Sequence, residues 1–302
     1  MAIYSIGDLA KLSGVKAHTL RIWEQRYGVL KPKRTESNVR YYEDEDLRHL
    51  LNVALLNRNG LRISQIAKLE EDELVRRAAE IADLSDEYAN QLDGLTLSML
   101  EMDELRFDRI LSVNIAQLGF ERTMLEVLMP FLEKLTVLWV TGSVKPVQER
   151  FTATLIERKL LVAIQQLPHP TSATAPKLLL YLPQGETQAM SLVLLHYLAK
   201  QRGYRVYFLG NQLGISDVAD ASDITQPDLV FTMISETFVE GGLNAYVKSI
   251  RQLLPPKTQF LVTGYQAVVQ DIDSHEGVQL LRSLHDTISY LTDFKSQRRA
   301  AK

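Results

Sequence analysis

The sequence has no cysteine in its 302 residues. That absence excludes disulfide bridges, thiolate nucleophiles, cysteine-ligated zinc and thiol redox sensing together. Long apolar runs are missing too: nothing approaches the ~20 consecutive apolar residues of a membrane-spanning helix. The opening stretch MAIYSIGDLA carries an acid and no apolar run of signal-peptide length. A cytoplasmic protein without membrane attachment is therefore expected. Catalytic signatures are absent as well. There is no Walker loop, no G-x-G-x-x-G, no H-E-x-x-H and no G-x-S-x-G, so an enzyme is not expected. An excess of either charge is also lacking, because the net value is only −3. What is present is apolar material: at 46% hydrophobic, a chain of this length supports two or three domains with real cores.

The near-zero total hides an asymmetry. Residues 11–40 hold Lys11, Lys16, Arg21, Arg26, Lys31, Lys33, Arg34 and Arg40 against Glu24 and Glu36, a local charge of +6. Residues 71–110 hold twelve acids against Arg76, Arg77, Arg106 and Arg109, a local charge of −8. This suggests a nucleic-acid module beside an acidic neighbour; two solvated charged faces are the plainer alternative. Regular apolar positions in the acidic stretch (Leu84, Leu92, Leu95, Leu100, Leu105, Ile110) predict amphipathic helices there, not a disordered tail.

Ser5-Ile-Gly-Asp8 has the form of a capping box, and Ser13-Gly14 closes the helix it opens. A second, basic helix is predicted over 16–25, ending at Tyr27-Gly28. KPKRTESNVRYY (31–42) reads as a short hairpin. Glu43 to Asp46 put acids in the first turn of a third helix, where its dipole favours them. Two further helices are predicted over 62–69 and 72–82, then four from 85 to 167 as a bundle. Residues 167–176, LPHPTSATAP, are a linker by composition. Beyond it, LLLYL (178–182), RVYFLG (205–210), DLVFTMI (228–234), QFLVTG (259–264) and VQLL (278–281) alternate with helical patterns, with 214–222 ambiguous. The expected class is a multidomain α/β chain. A winged helix-turn-helix covers 1–82, a four-helix bundle 83–170, and a flavodoxin-like, doubly wound parallel sheet 171–302. Ligands of such sheets bind beyond the carboxyl ends of the strands, at the switch point, here Pro183 to Gln188.

A helix, a tight turn, a basic helix and a basic hairpin suit a helix in the DNA major groove and a wing on the adjacent backbone. The stretch 4–50 carries Ile6-Gly7-x-Leu9-Ala10, Thr19-Leu20-Arg21, Tyr27-Gly28-x-Leu30-x-Pro32-x-Arg34 and Val39-Arg40-x-Tyr42. It resembles the DNA-binding domain of MerR-type transcription regulators. The resemblance implies that Arg21, Arg34 and Arg40 contact DNA. Lys16, His18 and Thr19 at the helix start, with Arg26 and Lys33, complete the candidate basic face. Trp23 and Tyr42 join the candidate set, with core packing as their equal alternative. The implied partner is a double-stranded, pseudo-palindromic operator bound by a homodimer or larger homo-oligomer. No long heptad helix is present, so self-association is expected to use the C-terminal domains.

The bundle and sheet behind this head resemble the light- and cobalamin-sensing (CarH/LitR-type) branch of those regulators. That branch carries a Trp ten residues before a Glu-His pair; here Trp139 leads to Glu149-Arg150. Its Asp-x-His-x-x-Gly, whose His ligates cobalt, corresponds to Glu186-Thr187-Gln188-Ala189-Met190-Ser191. Its Ser-x-Leu/Thr corresponds to Ser235-Glu236-Thr237, and its Gly-Gly to Gly264-Tyr265. A neutral carboxamide is a weak donor beside imidazole. Ser191 and Tyr265 add side chains where the branch has glycine, and Tyr265 is expected to fill the channel of the nucleotide tail. The fold is therefore expected to be kept and cobalt ligation lost, with no bound cofactor and no metal. The alternatives are weak cobalamin binding without a protein ligand in a light-responsive regulator, a corrinoid or small-molecule carrier module, and a protein partner in the effector cleft.

Overall fold

The computed structural model describes residues 4–34, 38, 40–84, 88–140, 144–172, 174–235, 242–270, 272 and 276–300. Helix α1 (Ile6–Ser13) starts at Ser5, whose hydroxyl oxygen accepts the Asp8 amide at 3.2 Å while the Asp8 carboxylate accepts the Ser5 amide at 2.9 Å. The helix stops at Gly14, which takes a left-handed φ of +70°. Helix α2 (Ala17–Tyr27) ends in the same way at Gly28. Strands β1 (Lys33–Arg34) and β2 (Arg40–Tyr41) form the antiparallel wing, and Tyr42 bridges back to Tyr4. Helix α3 (Asp44–Arg58) follows, with Asp46 accepting the Glu43 amide at 2.9 Å, then α4 (Ile63–Ile66) and α5 (Glu71–Leu84). Leu9, Leu12, Leu20, Leu47, Leu50 and Leu51 are buried as the core of this head.

The segment predicted as four helices forms α6 (Tyr88–Glu101), α7 (Glu104–Leu118), a third helical stretch and α10 (Pro146–Gln166). The third stretch is α8 (Phe120–Arg122), a π-helical turn over Thr123–Leu128, and α9 (Met129–Val140). Pro130 explains the wide turn. Its ring would collide with the Glu126 carbonyl in a regular helix, and it has no N–H to donate there.

The parallel sheet contains β3 (Lys177–Pro183), β4 (Arg205–Leu213), β5 (Leu229–Met233), β6 (Gln259–Thr263) and β7 (Val278–Leu280), in spatial order β4-β3-β5-β6-β7. Helices α11 (Ala189–Gln201), α12 (Ile215–Thr225), α13 (Leu243–Leu253), α14 (Tyr265–Val269) and α15 (Leu284–Ala300) connect and cover it. The stretch with ambiguous periodicity is thus α12. Alternate residues along β3 feed different cores. Leu179 and Tyr181 pack with Val247 and Ile250 of α13, whereas Leu178, Leu180 and Leu182 pack with Leu192 and Leu195 of α11 and Leu291 of α15. Coverage on both faces is why β3 reads as an unbroken apolar run.

The chain separates into two compact units, Met1–Ile156 and Glu157–Lys302. The head shares its unit with the helices that follow. Leu55 of α3 packs on Ala78 of α5, and Arg58 pairs with the buried Asp93 of α6 at 2.9 Å. Among the described residues, no helix is long and apolar enough to cross a membrane.

Candidate functional site

The first unit presents a basic surface on α2 and the wing. Lys16, His18, Arg21 and Arg26 are exposed along α2 and its start, and Thr19 is half-buried between them. In the wing, Lys33, Arg34 and Arg40 are exposed. Each wing base is held by a neighbour. Lys33 Nζ lies 2.7 Å from Glu43 Oε2, which raises the lysine above its ordinary value. Arg34 Nη1 donates to Asn38 Oδ1 at 2.7 Å, with Asn38 itself in the left-handed region at φ +63°. Arg40 Nε lies 3.4 Å from Glu24 Oε1, and the other oxygen of that carboxylate accepts the Tyr42 hydroxyl at 2.9 Å.

Trp23 is 6% exposed and Tyr42 0%. Both are core residues, which decides between their two readings in favour of packing: a ring with almost no surface has no face to offer a duplex. Tyr42 still acts on the wing indirectly, because it orients Glu24 and Glu24 holds Arg40. Burial and the Glu24 hydrogen bond push the Tyr42 hydroxyl well above the usual tyrosine range. Glu24 and Asn38 are organisers that pattern reading missed. Each contacts a basic residue of the wing, and only the fold reveals the contact.

In the second unit, three loops meet at the carboxyl ends of β3, β5 and β6. Glu186 is 1% exposed. Its Oε1 accepts the amides of Thr187 at 3.0 Å and Gln188 at 3.4 Å, and its Oε2 accepts the Ser235 amide at 2.7 Å. The Ser235 hydroxyl in turn accepts the Tyr265 amide at 3.4 Å. Gly264 packs so closely on the β5 end that a Cβ there would lie 2.4 Å from the Ile234 carbonyl oxygen, and its φ is +107°. Only glycine fits this position. Gln188 is exposed at the start of α11, and its side-chain oxygen accepts the Ser191 hydroxyl at 3.4 Å.

The comparisons with known proteins agree with this layout. The profile of the MerR HTH family regulatory protein matches residues 4–73. The HTH-type transcriptional regulator ZntR homolog of Haemophilus influenzae is 32% identical over 107 residues, 33% of this chain and 79% of that protein. The HTH-type transcriptional repressor CarH of Myxococcus xanthus is 26% identical over 288 residues, 90% of this chain and 94% of the relative. The chain is a MerR-type transcription regulator.

As such a regulator it binds DNA, and its effector domain is cobalamin-binding-like. The monomethylamine corrinoid protein of Methanosarcina barkeri has the same fold: its structure superposes on 65% of the chain and 94% of its own length, with a TM-score of 0.53 and 9% identity. The structure of the regulator brings Glu186, Gln188, Ser191, Ser235, Gly264 and Tyr265 to one end of one sheet. The Tyr265 expectation is corrected. Its ring is 67% exposed at the first turn of α14 and fills no interior channel. Glu149 and Arg150 are exposed in the first turn of α10, where an acid suits the helix dipole. Thr237 and the Trp139 side chain lie outside the described residues. His196, the nearest histidine along α11, stacks on Phe208 with ring centroids 5.1 Å apart.

Proposed function

We propose that this regulator is a repressor of MerR type that grips its operator with Lys16, His18, Thr19, Arg21 and Arg26 on α2 and Lys33, Arg34 and Arg40 on the wing. The helix reads the major groove and the wing follows the backbone. The observation that carries this reading is the set of exposed basic residues on α2 and the wing, above a head whose Trp23 and Tyr42 are buried. The functional division is 1–82 for DNA, 83–170 for the bundle and 171–302 for the sheet. The protein is cytoplasmic, is not an enzyme, and works as a homo-oligomer assembled through its C-terminal domains. Two symmetric half-sites then match two heads.

We further propose that the effector domain works without a protein ligand to cobalt. The residues present do not fit that role. Position 188 offers a carboxamide, a poor axial donor. The carboxylate two residues earlier, which could orient a ligand at 188, is turned onto backbone amides instead. His196 is engaged against Phe208 about eight residues, or roughly 12 Å, along the helix. The test is the absorbance spectrum of the protein after incubation with cobalamins and desalting. The expected result is no corrinoid band, with a band gained in a Gln188→His variant. A band stoichiometric with the wild-type protein would overturn this reading and favour a cobalamin-responsive regulator. Failure to bind any fragment of its own promoter would favour the carrier module.

A further inference from the structure

Doubly wound sheets place anionic ligand groups against backbone amides beyond the first strand, where a helix N-terminus adds its dipole. The same arrangement is built here, with amides from two loops. The N–H groups of Thr187 and Gln188, at the start of the thirteen-residue α11, and of Ser235, after β5, converge on one point. A carboxylate already stands there, and it belongs to the chain. Both Glu186 oxygens are engaged at 2.7–3.4 Å, and the residue is 1% exposed. An anion removed from water in this way needs several donors around it, and these amides supply them.

We propose that Glu186 is a built-in anion that occupies the oxyanion position of the switch point and excludes phosphate-bearing ligands from it. The effector cleft of this chain therefore selects neutral or cationic ligands. The amide cradle is a latent phosphate site that appears when the carboxylate is removed. The carboxylate also joins the β3 loop to the β5 loop, and the Ser235 hydroxyl passes the connection to the β6 loop through the Tyr265 amide. A ligand that displaced Glu186 would release all three loops together.

The probe is inorganic phosphate, titrated against the full-length protein at constant ionic strength. Binding is read by calorimetry and by amide chemical shifts of residues 187, 188 and 235. In the wild type, no saturable binding and no shift of these amides is expected. Glu186→Ala is expected to bind phosphate saturably, at least about tenfold more tightly than the upper limit the titration sets for the wild type, a difference of about 1.4 kcal/mol or more. Glu186→Gln keeps the shape and one acceptor oxygen, so it should fold and stay closed to phosphate. A purely structural role for Glu186 would lower the stability of Glu186→Ala without giving it an affinity for phosphate. That outcome, in an alanine variant that keeps the wild-type circular dichroism, would overturn the proposal. Phosphate shifting the three amides in the wild type would overturn it whatever the variants do. A corrinoid band in the wild type with the three amides unshifted would defeat the proposed function alone; because cobalamin carries a phosphodiester, a band accompanied by shifts of those amides would overturn both.

Discussion

At the scale of single residues, the cleft is governed by a few positions whose alternatives are costly. Gly264 combines a φ of +107° with a Cβ position 2.4 Å from the Ile234 carbonyl. Gly264→Ala is therefore expected to lose about 1–3 kcal/mol or more, through strain and the forced retreat of the β5 end. A thermal or urea melt checks it, with Tyr265→Ala as the near-neutral comparison because that ring is exposed. His196 is a second such position. Burial, and then the Lys200 charge, push its imidazole down from 6.5 to about 4. Below about pH 6.5 the unfolded chain takes up a proton that the folded chain refuses until about pH 4. Stability is thus full above that window and falls as pH drops through it. Urea melts from pH 7 to pH 4 should show this slope, and His196→Gln should flatten it; an unchanged slope would mean that other groups carry it. Sequence position placed Glu186, Ser235 and Gly264 after the strands whose loops meet in the fold. It did not reveal that Glu186 turns onto backbone amides, since a carboxylate in a motif looks the same whichever way it points.

At the scale of elements, apolar pattern was the most readable part of the chain. The runs 178–182 and 259–263 are strands because helices cover both sheet faces, and unbroken apolar runs too short for helices follow from that. The capping box at Ser5 and the glycine stops at Gly14 and Gly28 were legible for local reasons that need no tertiary partner. Trp23 and Tyr42 were not decidable in this way. An aromatic on a basic helix or wing suits a core and a duplex equally, and the decision rests on burial by elements distant in the chain, with Tyr42 also bound to Glu24. The wing now makes a specific prediction. Arg34→Ala and Arg40→Ala should each lower the slope of log affinity against log salt by about 0.9, one phosphate contact apiece. Tyr42→Phe removes the hydroxyl that orients Glu24, so it should weaken DNA binding without changing that slope. Trp23→Ala should cost about 3–5 kcal/mol of folding stability, as expected of a buried aromatic and not of a DNA-stacking one. Fluorescence anisotropy at several salt concentrations and thermal melts separate these effects.

At the scale of the whole molecule, the overall charge was the least informative quantity and its distribution one of the most informative. The net −3 separates into a basic DNA-facing head and an acidic neighbour. That neighbour meets the head on α3, where Asp93 pairs with Arg58 and Glu71 lies 2.7 Å from His49 Nδ1. The absence of cysteine removes thiolate sensing, and in the function proposed above the carboxamide at 188 stands where a protein ligand to cobalt would be needed. What is left is a DNA-binding head attached to a sensor fold whose switch point is tied together by its own carboxylate. The central claim is that this head binds its operator and that cobalamin does not control it. The most direct measurement is the affinity of the full-length protein for a fragment of its own promoter, with and without saturating adenosylcobalamin, in the dark and after illumination. Because coupling is reciprocal, a cofactor that does not bind cannot shift the affinity. Tight, salt-dependent binding that is identical in all four conditions is expected. A change in affinity with cobalamin, or its reversal by light, would contradict it.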